Sequence, residues 1–366
     1  MQIVDAVVYA IRIPLKQPFK IALGTLTHSN HVLVRLTGDD NRVGWGESTT
    51  FHSVYGYDQK SLYHVLIDHL LPAVKGMDPR DLTALHRKMD LAIPGNLMAK
   101  CAVDLAAYDL AGQAAAMPVS NLIGEPRAAT VPVIAALGIV SPSEAAARAK
   151  DLVAEGFEVI KIKIGLNAEK DLKRTQAVRD AVGDHIRLRV DANQGYDRAT
   201  ALQVAASLEP LALEWIEQPL PDWDLEGLAQ LAKAFATPLA VDESVYTVHD
   251  ARRVIAMKAA DVVNIKIPKC GGLYRSQNIA ALCENEGIPC FLGGCLETSP
   301  GAAAQAHFHA ATPNIVSAAE MEPWQYVDDV VVSPLTMNAG SVALPQSSGL
   351  GFVIDEEKVE HYRVDL

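Results

Sequence analysis

The feature that most restricts the fold is an alternation of short, β-branched apolar runs with amphipathic helical stretches, which begins near Val131. Eight runs qualify as strands: VPVIAALG, VIKIKIG, IRLRVDANQ, ALEWIEQP, PLAVDES, VVNIKIPK, PCFLGG and IVSAAEME. Such alternation is typical of a parallel sheet with crossover helices. Eight units within roughly 200 residues fit a (β/α) TIM-type barrel better than an open doubly wound sheet.

The residues before this alternation have a different character. The first 50 suggest strands, with the turn-rich stretch KQPFKIALGTLTHSN predicted to be a long hairpin loop, and a helical pattern follows from about residue 58 to residue 116. We therefore predict three parts. Residues 1–125 form an N-terminal α+β capping domain, residues 126–335 form the barrel, and residues 336–366 form a C-terminal segment that returns to the cap.

Composition excludes several classes of function. The formal net charge is −12 without a basic cluster, which argues against nucleic-acid and anionic-membrane partners. No apolar run is long enough to span a membrane. The five cysteines lack CxxC spacing and the N-terminus lacks a basic, then apolar, signal pattern, so we expect a cytoplasmic protein with reduced thiols. Neither GxGxxG nor GxxxxGK[ST] occurs, which removes the usual nucleotide sites.

Charged residues recur near the carboxyl ends of the middle strands, where a barrel of this type carries its active site. They are Lys163, Asp191, Glu217, Asp242 and Lys266, separated by 28, 26, 25 and 24 residues. This is one charged residue per βα unit at nearly constant phase. The spacing predicts three converging carboxylates with a lysine on either side.

Three carboxylates without histidine or cysteine partners favour a hard divalent cation, and we expect one Mg²⁺ per active site. A cation held in this way can bind a substrate carboxylate. It can then stabilise the enediolate that forms when the proton on the adjacent carbon is removed. The pattern therefore indicates an enzyme that abstracts the proton α to a carboxylate.

The stretch VIKIKIG places Lys161 and Lys163 on the same face of one strand. An edge strand with a solvated face would explain this pattern without any function. In a buried strand, the second ammonium would instead favour the neutral, proton-accepting form of Lys163. We interpret Lys163 as the base and Lys266, on the opposite wall, as the partner acid or base. Lys161 is placed to touch the substrate carboxylate.

The chain resembles the muconate-lactonizing subgroup of the enolase superfamily over essentially its whole length. The motifs that carry the resemblance are KIKIG, DANQGY, EWIEQP, VDES and NIKIPKCGG, together with GWGE and AKCAVDLAAYDLAG. The resemblance implies that Asp191, Glu217 and Asp242 bind the metal and that Lys163 and Lys266 are the acid/base pair. It also implies that cap loops around residues 16–30 and 50–58 close over a small carboxylate substrate, and that the protein forms a homo-oligomer.

The residues around the mouth suggest an ammonium-bearing substrate. Glu320 and Glu322 lie two apart, where dipeptide epimerases of this family carry an acidic pair, and Trp324 is a suitable partner for a cation. A solvated acidic loop with an ordinary rim tryptophan is the simpler explanation. The predicted substrate-binding residues are Tyr55, Asn193, Glu297, Glu320, Glu322 and Trp324.

One departure bears on the substrate. Relatives that act on Ala-Glu carry an arginine in the cap loop where this chain has Gly24, which disfavours substrates with a distal carboxylate, including muconate. We expect dehydration of a small cyclic β-hydroxy amino acid similar to cis-3-hydroxyproline. The alternatives are racemisation or epimerisation of a dipeptide or amino-acid derivative, and cycloisomerisation of a muconate. A non-catalytic carboxylate-binding protein is disfavoured because both lysines and all three acids are present.

Overall fold

The computed structural model describes all 366 residues. Its N-terminal part is an antiparallel sheet covered by helices. The sheet has the order β1 (Ile3–Ile21), β2 (Gly24–Gly38) and β3 (Val43–Thr50). The helices are α1 (His52–Tyr55), α2 (Gln59–Val65), α3 (Leu71–Val74), α4 (Leu82–Ala92), α5 (Leu97–Ala115) and α6 (Val119–Ile123), with a π-helical turn at Leu66–Leu70.

The predicted long loop between the first two strands is instead a regular β-hairpin. Phe19 pairs with Leu26 and Ile21 pairs with Gly24, so only two residues form the turn. A register shift between Pro14 and Phe19 bends β1 before the hairpin tip. The turn-rich composition misled the prediction, because cross-strand pairing outweighs local turn preference here.

The GWGE motif lies on β3 where the sheet meets α5. A Cβ on Gly44 would stand 2.3 Å from the carbonyl oxygen of Ala106, and one on Gly46 would stand 2.1 Å from that of Ala102. Side chains are therefore excluded at both positions. Helix α5 is buried around most of its circumference, which explains its apolar, alanine-rich sequence.

The second part of the chain forms a curled sheet of seven parallel strands. After β4 (Thr130–Pro132), these are β5 (Ala135–Leu137), β6 (Val159–Lys163), β7 (Arg187–Asp191), β8 (Ile216–Glu217), β9 (Leu239–Val241), β10 (Val262–Ile265) and β11 (Cys290–Leu292), paired in chain order. The helices are α7 (Pro142–Ala154), α8 (Ala168–Val182), α9 (Arg198–Leu208), α10 (Leu225–Ala234), α11 (Val248–Met257), α12 (Ile267–Cys270), α13 (Leu273–Asn285) and α14 (Ser299–Ala311).

The eighth predicted strand closes this sheet without forming a regular strand. Its Val316 N–H donates to the carbonyl of Cys290 at 3.0 Å, and its Ala319 N–H donates to that of Pro132 at 2.9 Å. The segment thus bonds to β11 at one edge of the sheet and to the residues that precede β5 at the other, through isolated bridges and not a continuous ladder. The predicted TIM-type barrel with an N-terminal cap is confirmed.

The chain after the barrel returns to the cap. Strand β12 (Met337–Asn338) pairs with β13 (Ser341–Ala343), which pairs in turn with β4, and α15 (Glu356–His361) follows. The N–H of Val364 then donates to the carbonyl of Ala10 at 2.9 Å, which ties the last residues to β1. No helix of the structure has both the length and the apolar character needed to cross a membrane.

The floor of the barrel contains a buried arginine that the sequence did not single out. The guanidinium of Arg189 lies 4.0 Å from the centre of the Trp215 ring. It donates to Glu214 at 3.0 Å and to Ser317 at 2.8 Å. Arg189 is paired in register with Lys161 and shares its inward face, but its partners Glu214 and Ser317 precede the lysine's partners, Glu217 and Glu320, on the neighbouring segments. It fills the end of the barrel opposite the predicted active site.

Replacing Arg189 with alanine is expected to lower the free energy of unfolding by about 3–5 kcal/mol, because it leaves a cavity and removes a buried ion pair. Urea unfolding measures the change. Arg187→Ala is the matched control, since Arg187 contacts the same Glu214 from a side chain that is 45% exposed. This variant should lose less than about 1 kcal/mol of the free energy of unfolding. Equal losses for the two variants would contradict this role for Arg189.

Candidate active site

Strand β6 carries the two lysines of the VIKIKIG stretch into the barrel interior. It lies between β5 and β7, and all five of its residues are buried. The edge-strand explanation is therefore excluded. Lys161 and Lys163 share the inner face, as period-two geometry requires, but they stand at different depths.

Lys161 lies below the cavity, among three carboxylates. Its Nζ is 2.9 Å from Asp191 Oδ2, 2.9 Å from Glu217 Oε2 and 2.6 Å from Glu320 Oε1. Burial alone would lower the pKa of Lys161, but the three carboxylates outweigh it and raise the pKa well above its usual range. Lys161 is absent from the cavity lining, and its contact with the substrate carboxylate stays a prediction.

Lys163 lines the cavity above Lys161. Its Nζ contacts Asp191 Oδ2 at 2.6 Å and donates to Asn193 Oδ1 at 3.1 Å. Asn193 lies just after β7 with a backbone φ of +42°, and its own N–H donates to Asp191. The loop after β7 therefore orients the predicted base.

Lys266 follows β10 and lies on the opposite side of the barrel, four strands from β6. Its Nζ is 2.8 Å from Asp242 Oδ2 and 2.9 Å from the hydroxyl of Tyr55. Burial would lower the pKa of Lys266, but Asp242 and other nearby groups raise it well above its usual range. A residue of the cap thus holds the second predicted acid/base group.

Sequence reasoning missed a fourth lysine in this region. Lys269 Nζ is fully buried and contacts Asp242 Oδ1 at 2.9 Å and the carbonyl of Asn264 at 3.0 Å. It lies on the single-turn helix α12, outside the strand-end spacing that identified the other charges. The only available signal was the second lysine in the motif NIKIPKCGG.

The carboxylates have the chemistry that a hard cation needs. Glu243 Oε2 is buried without a hydrogen-bond partner, and lysine ammonium groups are the only donors near the buried oxygens Glu217 Oε2 and Asp242 Oδ2. Burial and the neighbouring Asp191 carboxylate raise the pKa of Glu217 to about 7, which a bound cation would reverse. No three such side chains form a preassembled cage, since lysine ammonium groups contact these oxygens instead. The donor set nevertheless fits Mg²⁺, which prefers oxygen ligands.

The cavity brings together most of the predicted contact residues. Its lining draws on the hairpin tip, the segment after β3 and the ends of several barrel strands. Among the lining residues are Tyr55, Lys163, Asn193, Lys266, Glu297, Glu320 and Glu322. Phe19, Ile21 and Phe51 supply apolar surface from the cap. The site is therefore built by both parts of the chain.

Trp324 lies beside the cavity, in a groove that shares Glu322 with it, and its contact with substrate stays a prediction. It lies in a 3₁₀ turn over Pro323–Gln325 and lines an adjacent groove with Lys16 and Arg148. The ammonium of Lys16 donates to the Trp324 carbonyl at 2.9 Å, which ties this turn to the cap. Trp324 is not among the residues that line the cavity with the two lysines.

The two glutamates of the acidic pair, Glu320 and Glu322, contact different neighbours. Glu320 binds Lys161, and this ammonium lowers the pKa of Glu320 although burial opposes the shift. Glu322 accepts a hydrogen bond from the Ala136 N–H at 3.2 Å, and burial raises its pKa to about 7. Both groups line the cavity, and Glu322 lacks a cationic partner within ion-pair distance.

Removing the Tyr55 hydroxyl, in Tyr55→Phe, is expected to lower kcat about 10-fold with little change in KM, because the hydroxyl positions the Lys266 ammonium. Steady-state kinetics measure the separate effects on kcat and KM. Tyr57→Phe on the same segment is the control and should leave both constants nearly unchanged. A higher KM at constant kcat would instead assign Tyr55 to uniform substrate binding.

Fold and site together define a barrel enzyme with a cap, whose acidic and lysine side chains meet at the carboxyl ends of the strands. Residues 144–358 match the family described as enolase C-terminal domain-like. Residues 3–124 match the N-terminal domain of the mandelate racemase/muconate lactonizing enzymes. The chain belongs to this family of the enolase superfamily.

Three relatives indicate the range of reactions. The chain is 34% identical over 367 residues to an N-succinyl-L-Arg/Lys racemase of Bacillus cereus, covering 100% of this chain and 98% of the relative. It is 35% identical to an L-Ala-D/L-Glu epimerase of Clostridium acetobutylicum, covering 96% and 98%. It is 30% identical to a chloromuconate cycloisomerase of Cupriavidus necator, covering 96% of each. These relatives are isomerases.

Solved structures agree with this assignment. The N-succinyl Arg/Lys racemase of Bacillus cereus superposes with a TM-score of 0.97 at 34% identity, covering 100% of this chain and 99% of that one. A dipeptide epimerase of Enterococcus faecalis, complexed with Mg and the dipeptide L-Leu-L-Tyr, superposes with a TM-score of 0.93 at 33% identity, covering 96% and 100%. The enolase-superfamily assignment is confirmed, and the relatives support the alternative of racemisation or epimerisation better than the expected dehydration.

Proposed function

We propose that this enzyme racemises or epimerises an amino-acid derivative or dipeptide by moving the proton α to its carboxylate. The observation that carries the proposal is the position of Lys163 and Lys266. The two ammonium groups line one cavity from opposite sides of the barrel. Inversion at one carbon needs a proton removed from one face and returned to the other, which two opposed groups can do.

Asp191, Glu217 and Asp242 would hold Mg²⁺ at the carboxyl ends of β7, β8 and β9. When bound, the cation supplies positive charge beside the substrate carboxylate as the α proton leaves. Lys163, as the neutral amine, takes the proton on one side and becomes an ammonium, while the Lys266 ammonium gives a proton to the other side and becomes neutral. Asn193 and Tyr55 hold the Nζ atoms of the two lysines in position.

Glu320 and Glu322 support a substrate that carries an ammonium group. The Glu322 carboxyl has a pKa of about 7, so it is partly protonated at neutral pH. A substrate ammonium beside it would favour the ionised form and form an ion pair in a partly desolvated site. Glu320 already binds Lys161, which leaves Glu322 as the more available partner.

Proton NMR in D₂O with Mg²⁺ tests the proposal. The panel contains dipeptides, N-succinyl amino acids, hydroxyprolines and proline betaines. We expect the α-proton signal of a dipeptide or N-acyl amino acid to disappear as the opposite configuration accumulates. Loss of a ring hydroxyl without inversion would identify a dehydratase and contradict the proposal. Absence of exchange throughout the panel would also contradict it.

A further inference from the structure

Two carboxyl groups from different parts of the chain meet at the start of α14. Glu47 ends the GWGE motif on β3, and Glu297 lies just before the helix. Glu47 accepts hydrogen bonds from the Thr298 N–H at 2.9 Å, the Thr298 hydroxyl at 2.9 Å and the Gly301 N–H at 2.8 Å. Its Oε1 is also 2.7 Å from His31 Nδ1. Glu47 therefore takes up donors that the helix start offers.

Glu297 is left with a single donor. The Cys295 N–H donates to Glu297 Oε2 at 2.8 Å, while Oε1 has no hydrogen-bond partner although the residue is only 3% exposed. Burying an ionised carboxylate with so few donors is costly, and protonation removes the cost. Glu47, in contrast, accepts three hydrogen bonds, which favour its ionised form. Two carboxyl groups in contrasting environments commonly differ in protonation in this way.

The charged and titratable groups around Glu297 act in different directions. They come from β3, α5, the end of β10 and the segments beside α14, and they are Glu47, Cys101, Lys266, Cys295 and Tyr326. Burial is the largest influence and raises the pKa of Glu297 to about 8. The Glu47 carboxylate adds to this shift, and the Lys266 ammonium opposes it. Burial is therefore the main reason why Glu297 favours its neutral form, and the Glu47 carboxylate adds to this preference.

We propose that Glu297 contacts the substrate as a neutral carboxylic acid and donates a hydrogen bond from its carboxyl O–H to an uncharged acceptor oxygen. Glu297 lines the cavity that also contains Lys163 and Lys266. A hydroxyl oxygen and an amide carbonyl oxygen share the required chemistry. The Glu47 carboxylate adds to the effect of burial in favouring this neutral form. The inference rests on the proposed function, since it requires substrate in this cavity.

The test compares Glu297→Gln with Glu297→Ala by the kcat/KM of α-proton exchange across pH. Glutamine offers an N–H donor of the same shape, so it should retain activity within about 3-fold at neutral pH, whereas alanine should lose about 10–100-fold. Activity of the unmodified enzyme should fall as pH rises through about 8. The glutamine variant should lack this decline, because its donor does not ionise.

Parallel assays with different substrates distinguish the two possible acceptor oxygens. If a substrate hydroxyl accepts the hydrogen bond, Glu297→Ala will lose kcat/KM only with hydroxylated substrates. If an amide carbonyl accepts it, this variant will lose kcat/KM only with dipeptides and N-acyl amino acids. Either pattern supports the inference. It is overturned if glutamine is as inactive as alanine, or if both share the alkaline decline of the unmodified enzyme.

An infrared measurement separates this inference from the proposed function. The carbonyl stretch of a protonated carboxyl should be present at neutral pH in the unmodified protein and lost in part in Glu297→Gln, whether or not any substrate turns over. An unchanged band would overturn the neutral form of Glu297. Absence of α-proton exchange in the unmodified enzyme, with the band difference present, would overturn the proposed function alone.

Discussion

Replacing Lys163 or Lys266 with alanine should lower racemisation by about 10²–10⁴-fold, the usual contribution of a positioned acid or base. The two variants should differ in stereochemistry. Because the lysines face the substrate from opposite walls, each variant should still exchange the α proton of the one configuration that its remaining lysine reaches. Proton NMR in D₂O, started separately from each configuration, measures this asymmetry.

The control is Lys233→Ala, which removes an exposed lysine from α10 and should change neither rate nor stereochemistry. Circular dichroism checks that Lys163→Ala folds, since Asp191 keeps its contact with Lys161. If each lysine variant exchanged both configurations at equal rates, a two-base mechanism with opposed lysines would be wrong.

Removal of Mg²⁺ by a chelator should abolish turnover, and addition of Mg²⁺ should restore it. The cation should also stabilise the folded protein by about 2.7 kcal/mol when its concentration is 100 times Kd, because it binds only the folded state. Thermal unfolding measures this effect without any substrate. Glu217→Gln should remove both effects, since it replaces one of the three carboxylates that would hold the cation with a neutral amide.

The matched control for this experiment is Glu226→Gln, at a glutamate whose side chain is 78% exposed. It should respond to Mg²⁺ as the unmodified protein does. Stabilisation of Glu217→Gln by Mg²⁺ to the full extent seen in the unmodified protein would show that the cation binds elsewhere.

The barrel and the phase of its charges were predictable because both follow from short-range periodicity. A strand alternates its faces every two residues, and each βα unit returns the chain to the same end of the barrel. Charges spaced by nearly constant intervals from Lys163 to Lys266 therefore had to approach one another. The eighth strand and the hairpin were less predictable, since pairing with distant segments decides whether a short apolar or turn-rich run becomes a regular strand.

The sequence by itself determined the fold class, the capping domain and the identity of five charged residues at the strand ends. Only the tertiary structure decided what each group does there. Lys161 and Lys163 look equivalent in the sequence, yet one is fixed among three carboxylates and the other lines the cavity. Glu47 and Glu297 are both glutamates, and 251 residues separate Glu47 from its donor Thr298. Donors and burial set by such distant contacts decide which carboxyl group is charged, because an ionised group persists in a buried site only where partners replace its water.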